Sequence, residues 1–258
     1  MYELTNQIEL VILSIIQGIT EFFPISSSGH LALFQNLFGF NPSNTLEINV
    51  LLHLATFISI LLYFRDDIEN LIYGLFHNQK SEILLTKQII VATVPAVIFG
   101  LLIKDYIDKI QSPILISSLF IFTALYFLVA ENNHGFFKVK NPYIIAFIIG
   151  LAQALAILPG VSRSGSTLAM ALLLGLDRIQ GAKFSFLIGL PAIFGAALLT
   201  FFDAKNINAY LSFDYLIAFA ICTLVGYFAI KYLMKFYQNK TLKPFAFYLL
   251  FIGILILS

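Results

Sequence analysis

The chain has 258 residues, 59% hydrophobic and 11% charged, with a formal net charge of +1 and a mean hydropathy of +0.90. A soluble domain carries roughly 25% charged residues, so there is too little polar surface here to coat a water-soluble globule, and the near-zero charge excludes nucleic acid as a partner. The length fits one domain, 1–258, with no linker or charged tail to mark a second, and Cys222, the only cysteine, offers neither a disulfide nor a thiolate metal site.

The N-terminal stretch carries Glu3 and Glu9 and no Lys or Arg. It therefore lacks the basic region of a cleavable signal peptide, and insertion is expected from the spans themselves. Residues 8–40 form an apolar region long enough for two helices, but it is broken at its centre by Glu21-Phe-Phe-Pro-Ile-Ser-Ser-Ser-Gly-His30. A span follows at 48–64, then a charged loop over 65–87 that opens with Arg65, Asp66 and Asp67. Further spans are predicted at 88–103 and 113–130, each near the 17–25 residues that cross a hydrocarbon core. Residues 142–176 repeat the first pattern, with a break at Leu158-Pro-Gly-Val-Ser-Arg-Ser-Gly-Ser-Thr167. Spans at 184–202, 215–230 and 244–257 complete the chain.

Irregular backbone at membrane depth is tolerated only where protein buries it or it lines a wet cavity. Each broken segment is therefore expected to be a re-entrant helical hairpin with its tip near the midplane. The fold class is all-α integral membrane: six transmembrane helices plus two re-entrant hairpins. With 65–87 placed inside, eleven Lys and Arg fall on inside segments against three outside, Lys104, Lys109 and Lys205. That bias satisfies the positive-inside rule, puts both termini outside, and makes the two hairpins enter from opposite faces.

An internal repeat points the same way. At an offset of 136, Gln17 matches Gln153, and Ser26-Ser27-Ser28-Gly29 matches Ser162-Arg163-Ser164-Gly165. Paired interrupted segments in two halves signal an inverted-topology repeat with its site where the breaks meet. The halves are about 1–130 and 142–258.

Ionisable residues within a membrane are functional candidates by default, and Glu21, His30 and Arg163 stand out. Arg163 is the one charge between Lys140 and Asp177 and needs a buried carboxylate, for which Glu21 is the best candidate. The hydroxyls of Ser26, Ser27, Ser28, Ser162, Ser164, Ser166 and Thr167 can cap the helices that follow the breaks. Helix N-termini beside a guanidinium also suit a phosphate or carboxylate. Ser27, near a Glu and a His, has the setting of an activated nucleophile. His53, mid-span, reads as a packed and hydrogen-bonded histidine, and no cluster has metal-ligand spacing.

Taken whole, Gln17-Gly-Ile-Thr-Glu21 through His30, and Pro159-Gly-Val-Ser-Arg-Ser-Gly-Ser-Thr167, resemble the two signature motifs of bacterial undecaprenyl-diphosphate phosphatases, the bacitracin-resistance family. The similarity continues through Gly175-Leu-Asp-Arg178 and Ala182–Pro191 and covers most of the chain. The resemblance implies a bacterial plasma (inner) membrane enzyme. It would remove the terminal phosphate of undecaprenyl diphosphate and so recycle the lipid carrier of peptidoglycan synthesis. Its partners would be a polyprenyl diphosphate lipid and the bilayer, with self-association open. It places Glu21, Ser27, His30 and Arg163 on catalytic positions. Gln17, Ser26, Ser28, Gly29, Ser162, Ser164, Gly165 and Thr167 then line the phosphate site. One position departs: Gln17 stands where the family often has Glu. A neutral amide weakens any scheme in which two carboxylates hold a magnesium or calcium ion, so no cofactor is assigned.

Phosphatidic-acid-type membrane phosphatases share the Ser-Gly-His and Ser-Arg pieces. They also require an upstream Arg-Pro, absent here, and a His six residues past the Arg, where this chain has Ala169. An alternative of another class, a secondary transporter or lipid flippase, shares the inverted-repeat pattern. It would need Arg163 and N–H donors but not Glu21 beside Ser27 and His30.

Overall fold

The computed structural model describes residues 2–38, 45–103, 106, 112–203 and 212–258. The first hairpin is α1 (Tyr2–Thr20) and α2 (Ser27–Phe38), and the second is α7 (Pro142–Leu155) and α8 (Arg163–Leu173). Between and after them run α3 (Thr45–Tyr63), α4 (Arg65–Phe76), α5 (Lys80–Ile103), α6 (Pro113–Asn132), α9 (Arg178–Asp203), α10 (Phe213–Tyr237) and α11 (Lys243–Leu257). No strand occurs among the described residues. The fold is all-α, and its apolar helices are those of an integral membrane protein.

Helices occupy all six segments read as spans. Those in α5, α6, α9 and α10 are individually long and apolar enough to cross a bilayer. At 15 residues, α11 is about 22 Å long, short of the roughly 30 Å hydrocarbon core. Spans also extend beyond their sequence limits: α5 begins at Lys80, not 88, and α10 continues to Tyr237, not 230. Charge ends an apolar stretch without ending a helix, because the backbone bonds continue into the interface.

The segment read as a loop at 65–87 is helical over most of its length. Ile48–Tyr63 and Arg65–Phe76 meet at a bend of 74°. Asp66 and Asp67 lie in the first turn of α4, where carboxylates oppose the helix dipole. Arg65 and Asp66 are exposed as expected, but Asp67 accepts a hydrogen bond from Lys183 of α9 and ties α4 to the bundle.

Packing is reciprocal between the halves: α5 lies on α7, α10 lies on α1, and α6 pairs with α11. Helix α3 packs on both α9 and α10. Apolar helices in lipid gain little from the hydrophobic effect, so close packing and interhelical hydrogen bonds carry the association. Between α3 and α10, Ser59 Oγ donates to Thr223 O at 2.9 Å and Thr223 Oγ1 donates to Ala55 O at 3.2 Å. The Cys222 thiol is buried in the same seam. Through the centre, α6 presents the fully buried rings of Phe120 and Phe127, two turns apart on one face, as a floor for both breaks.

At one end of the bundle, Arg178 donates to both oxygens of Glu131, with Nη2 at 2.9 Å from Oε2. Glu131 Oε1 also accepts the Leu242 N–H at 2.6 Å. This single carboxylate joins α6, α9 and the start of α11. Removing one partner of a buried pair strands the other, at about 3 kcal/mol. Glu131→Gln is therefore expected to lower the thermal midpoint in detergent by several degrees. Glu131→Gln unfolding at the parent midpoint would show that the clasp contributes nothing.

Candidate active site

The two breaks are built alike. After α1 the chain turns through Glu21–Ile25 and reaches Ser26 at φ +69°, a left-handed conformation costing a serine on the order of 1 kcal/mol. Ser26 Oγ accepts the Gly29 N–H at 3.4 Å and lies 3.5 Å from Ser28 Oγ. In the second break Gly160 takes φ +103°, Ser162 Oγ accepts the Gly165 N–H at 3.3 Å, and Ser164 Oγ lies 3.4 Å away. Both glycines rest on the α6 floor. A Cβ on Gly29 would stand 2.6 Å from Phe120 Cε1, and one on Gly165 2.2 Å from Phe127 Cζ.

The tips meet. Gly160 N–H donates to Ser26 Oγ at 3.1 Å, so the strained serine holds both its own helix start and the opposite turn. Ser164 Oγ reaches Phe23 O at 3.5 Å. At the centre of this contact Arg163 Nη2 donates to Glu21 Oε1 at 2.7 Å, with side-chain exposures of 14% and 6%. Glu21 Oε2 accepts from Ser27 Oγ at 2.7 Å and from Gln17 Nε2 at 3.1 Å. Neither charge could stand alone at this depth.

Of the residues the sequence singles out, Gln17, Glu21, Ser27 and Arg163 form one hydrogen-bonded group. Ser28 is exposed beside it, while Ser162, Ser164 and Gly165 are buried at the head of α8. Thr167 is turned away: its hydroxyl donates to Arg163 O at 2.8 Å and pairs with Ser185 Oγ of α9. His30 is also occupied elsewhere. Its Nδ1 bonds Ser26 O at 2.8 Å and its Nε2 bonds Tyr248 OH at 2.8 Å. Ser26 O can only accept, so Nδ1 carries the proton, and His30 braces the break against α11. The hydrogen bond from Ser27 goes to Glu21, not to His30.

Four residues of the site lie outside the candidate set, among them His53, read from the sequence only as a packed and hydrogen-bonded histidine. Ser185 O accepts Arg163 Nη1 at 3.3 Å. Tyr248 holds His30. His53 brings Nε2 to 3.9 Å from Glu21 Oε2, while its Nδ1 bonds Asn49 O at 2.7 Å. Gly189 seats the guanidinium: a Cβ there would lie 2.1 Å from Arg163 Nη1. The repeat offset of 136 that relates Ser27 to Arg163 also relates His53 to Gly189, and that regularity was the available clue.

The arrangement joins a hydroxyl bonded to a carboxylate, a guanidinium, and the N-termini of α2 and α8, whose first N–H groups have no intrahelical partner. Such a set can bind a multiply charged anion and deliver a nucleophile to it. Among the described residues, no group of three His, Cys, Asp or Glu side chains is placed to hold a metal ion.

The family model of the bacitracin resistance protein BacA matches residues 10–255. A protein of Thermosipho melanesiensis named undecaprenyl-diphosphatase is 42% identical over 248 residues, covering 95% of this chain and 96% of the relative. Proteins with the same name from Halothermothrix orenii and Methanococcus vannielii are 38% and 37% identical. Their alignments cover 96% and 93% of this chain and 96% and 95% of those proteins.

Gly189→Ala is expected to push the guanidinium off Glu21 and cost about 3 kcal/mol, as for a stranded buried charge. Gly195→Ala, on the same helix with nothing within 4 Å of the added carbon, should leave thermal unfolding in detergent unchanged. Equal midpoints for the two variants would contradict the seat.

Proposed function

The chain belongs to the bacitracin resistance protein BacA family, and from that premise we propose how it works as an undecaprenyl-diphosphatase. It is a membrane hydrolase that converts undecaprenyl diphosphate to undecaprenyl phosphate and phosphate. The observation that carries this reading is the Ser27–Glu21–Arg163 chain, two successive contacts of 2.7 Å joining opposite breaks.

The diphosphate enters between the hairpin tips with its prenyl tail in lipid between helices. Ser27 Oγ attacks the terminal phosphorus in line, and Glu21 Oε2 takes the hydroxyl proton along the existing hydrogen bond. As Glu21 becomes neutral, the charge of Arg163 is released from its partner to the phosphoryl oxygens. The first N–H groups of α2 and α8 add to that stabilisation, the dominant device in phosphoryl transfer. Undecaprenyl phosphate leaves, and water then hydrolyses the phosphoserine. A magnesium or calcium ion arriving with the diphosphate would meet one carboxylate, Glu21, with Gln17 offering only an amide beside it.

The halves 1–130 and 142–258 act as an inverted pair in one domain. The Lys and Arg distribution supports termini on the outside of the bacterial plasma membrane, and substrate arriving from the outer face suits a lipid released there after glycan polymerisation. Product returns as carrier for peptidoglycan synthesis, and hydrolysis of the diphosphate form accounts for bacitracin resistance. The transporter or flippase reading has only the shared inverted-repeat pattern behind it, and anion binding alone gives no use to a hydroxyl bonded to the carboxylate that already serves Arg163.

Purified protein in detergent should release phosphate from undecaprenyl diphosphate. Arg163→Ala and Ser27→Ala should each reduce the rate by roughly 10³-fold, and acid quenching should trap phosphate on Ser27. A fully active Ser27→Ala enzyme would overturn the nucleophile. Retained lipid binding without phosphate release would favour transport.

A further inference from the structure

In the mechanism above Glu21 takes the proton of Ser27, and the hydrolytic water that follows needs a base at the same point. After the first half-reaction Glu21 is protonated and cannot act again until that proton moves on. Its contacts limit where the proton can go. Arg163 is already fully protonated, Gln17 is a neutral amide, and Ser27 is now bonded to phosphorus. His30, the histidine nearest in sequence, has both ring nitrogens engaged by Ser26 O and Tyr248 OH.

His53 remains. Its Nδ1 is bonded to Asn49 O at 2.7 Å. A carbonyl only accepts, so Nδ1 carries a proton and Nε2 is the nitrogen with a free lone pair. That nitrogen lies 3.9 Å from Glu21 Oε2, the same oxygen that accepts from Ser27. The gap exceeds a direct hydrogen bond but is closed by one water or a small ring rotation. The side chain of His53 is 32% exposed where that of Glu21 is 6%. The imidazole thus stands between the buried carboxylate and the surroundings.

We propose that His53 resets Glu21 between the two half-reactions, a role that rests on the serine mechanism of the preceding section. In the first, the Ser27 Oγ–P bond forms, the P–O bond to undecaprenyl phosphate breaks with its electron pair on the lipid oxygen, and the Ser27 proton passes to Glu21. Glu21 then gives that proton to His53 Nε2, leaving a carboxylate beside an imidazolium. In the second, water attacks the phosphorus of phosphorylated Ser27 and loses a proton to Glu21. The Oγ–P bond breaks, Oγ takes the proton from Glu21, and phosphate departs with the water oxygen. His53 Nε2 then loses its proton to water, which the part-exposed side chain admits. The residue acts through Glu21 and makes no contact with the phosphoryl group. At the repeat-related position Gly189 could not serve, and the guanidinium that fills that space stays protonated and takes up no further proton.

Rapid quench of the purified full-length protein with terminally labelled undecaprenyl diphosphate separates the two steps. His53→Gln should form the first equivalent of undecaprenyl phosphate within about twofold of the parent rate. Its steady state should fall roughly 10²-fold, phosphorylated Ser27 should accumulate, and added imidazole should restore turnover. Because the burst counts folded, competent sites, a merely structural role would lower burst and steady state together. That outcome, or an unchanged steady state, overturns the role. If Ser27→Ala turns over normally and neither enzyme carries phosphoserine, the nucleophile itself fails. If phosphoserine forms in both and decays equally fast, only the role of His53 fails.

Discussion

The ion pair between Glu21 and Arg163 is the constraint on which the rest of the site depends. The two residues are 142 positions apart and lie on different re-entrant hairpins, yet they meet at 2.7 Å with little exposure. A lone charge at that depth costs several kcal/mol, and a pair is tolerated only with good geometry and further hydrogen bonds. Those bonds come from Ser27, Gln17 and Ser185 O. The backbone is shaped around the pair, with Ser26 in a left-handed conformation so that its hydroxyl can accept the opposite turn at Gly160. Bringing the breaks together therefore both solves the solvation of two charges and assembles a hydroxyl, a carboxylate and a guanidinium at one point.

The repeat makes the site asymmetric in a specific way. The hydroxyl geometry of Ser26 and Ser28 recurs at Ser162 and Ser164, and both following glycines stand on α6. Identity changes where chemistry is needed. Ser27 corresponds to Arg163, Glu21 to Ile157, and His53 to Gly189. In the proposed mechanism one half supplies proton-transfer groups and the other supplies the cation with room to hold it. Two equal half-sites could bind an anion but would lack either nucleophile or clamp.

Much of this was legible in the sequence because it rests on local composition. Apolar length marks the spans, Pro, Ser and Gly clusters mark the breaks, and a lone Arg163 in an apolar stretch demands a carboxylate, for which Glu21 is the best candidate. What depends on helix rotation and crossing was not legible. His53, Ser185 and Tyr248 reach the site from three other helices, and Gly189 matters only because a guanidinium lies over it. His30 lies three residues from Ser27 in the sequence, but its imidazole turns to the Ser26 carbonyl and to Tyr248. Helix α4 was read as a loop because a charged start followed by mixed apolar residues looks the same in a loop and in a helix folded back at a span end.

In the proposed mechanism Glu21 and Arg163 act as one unit, and the loss of either disables the same step. A double-mutant cycle in kcat/KM for undecaprenyl diphosphate, using Glu21→Gln, Arg163→Lys and the pair, tests this most directly. The prediction is strong non-additivity, with the double variant no slower than the worse single one. Losses that simply multiply would mean the two residues act independently and would contradict the claim that their contact creates the site.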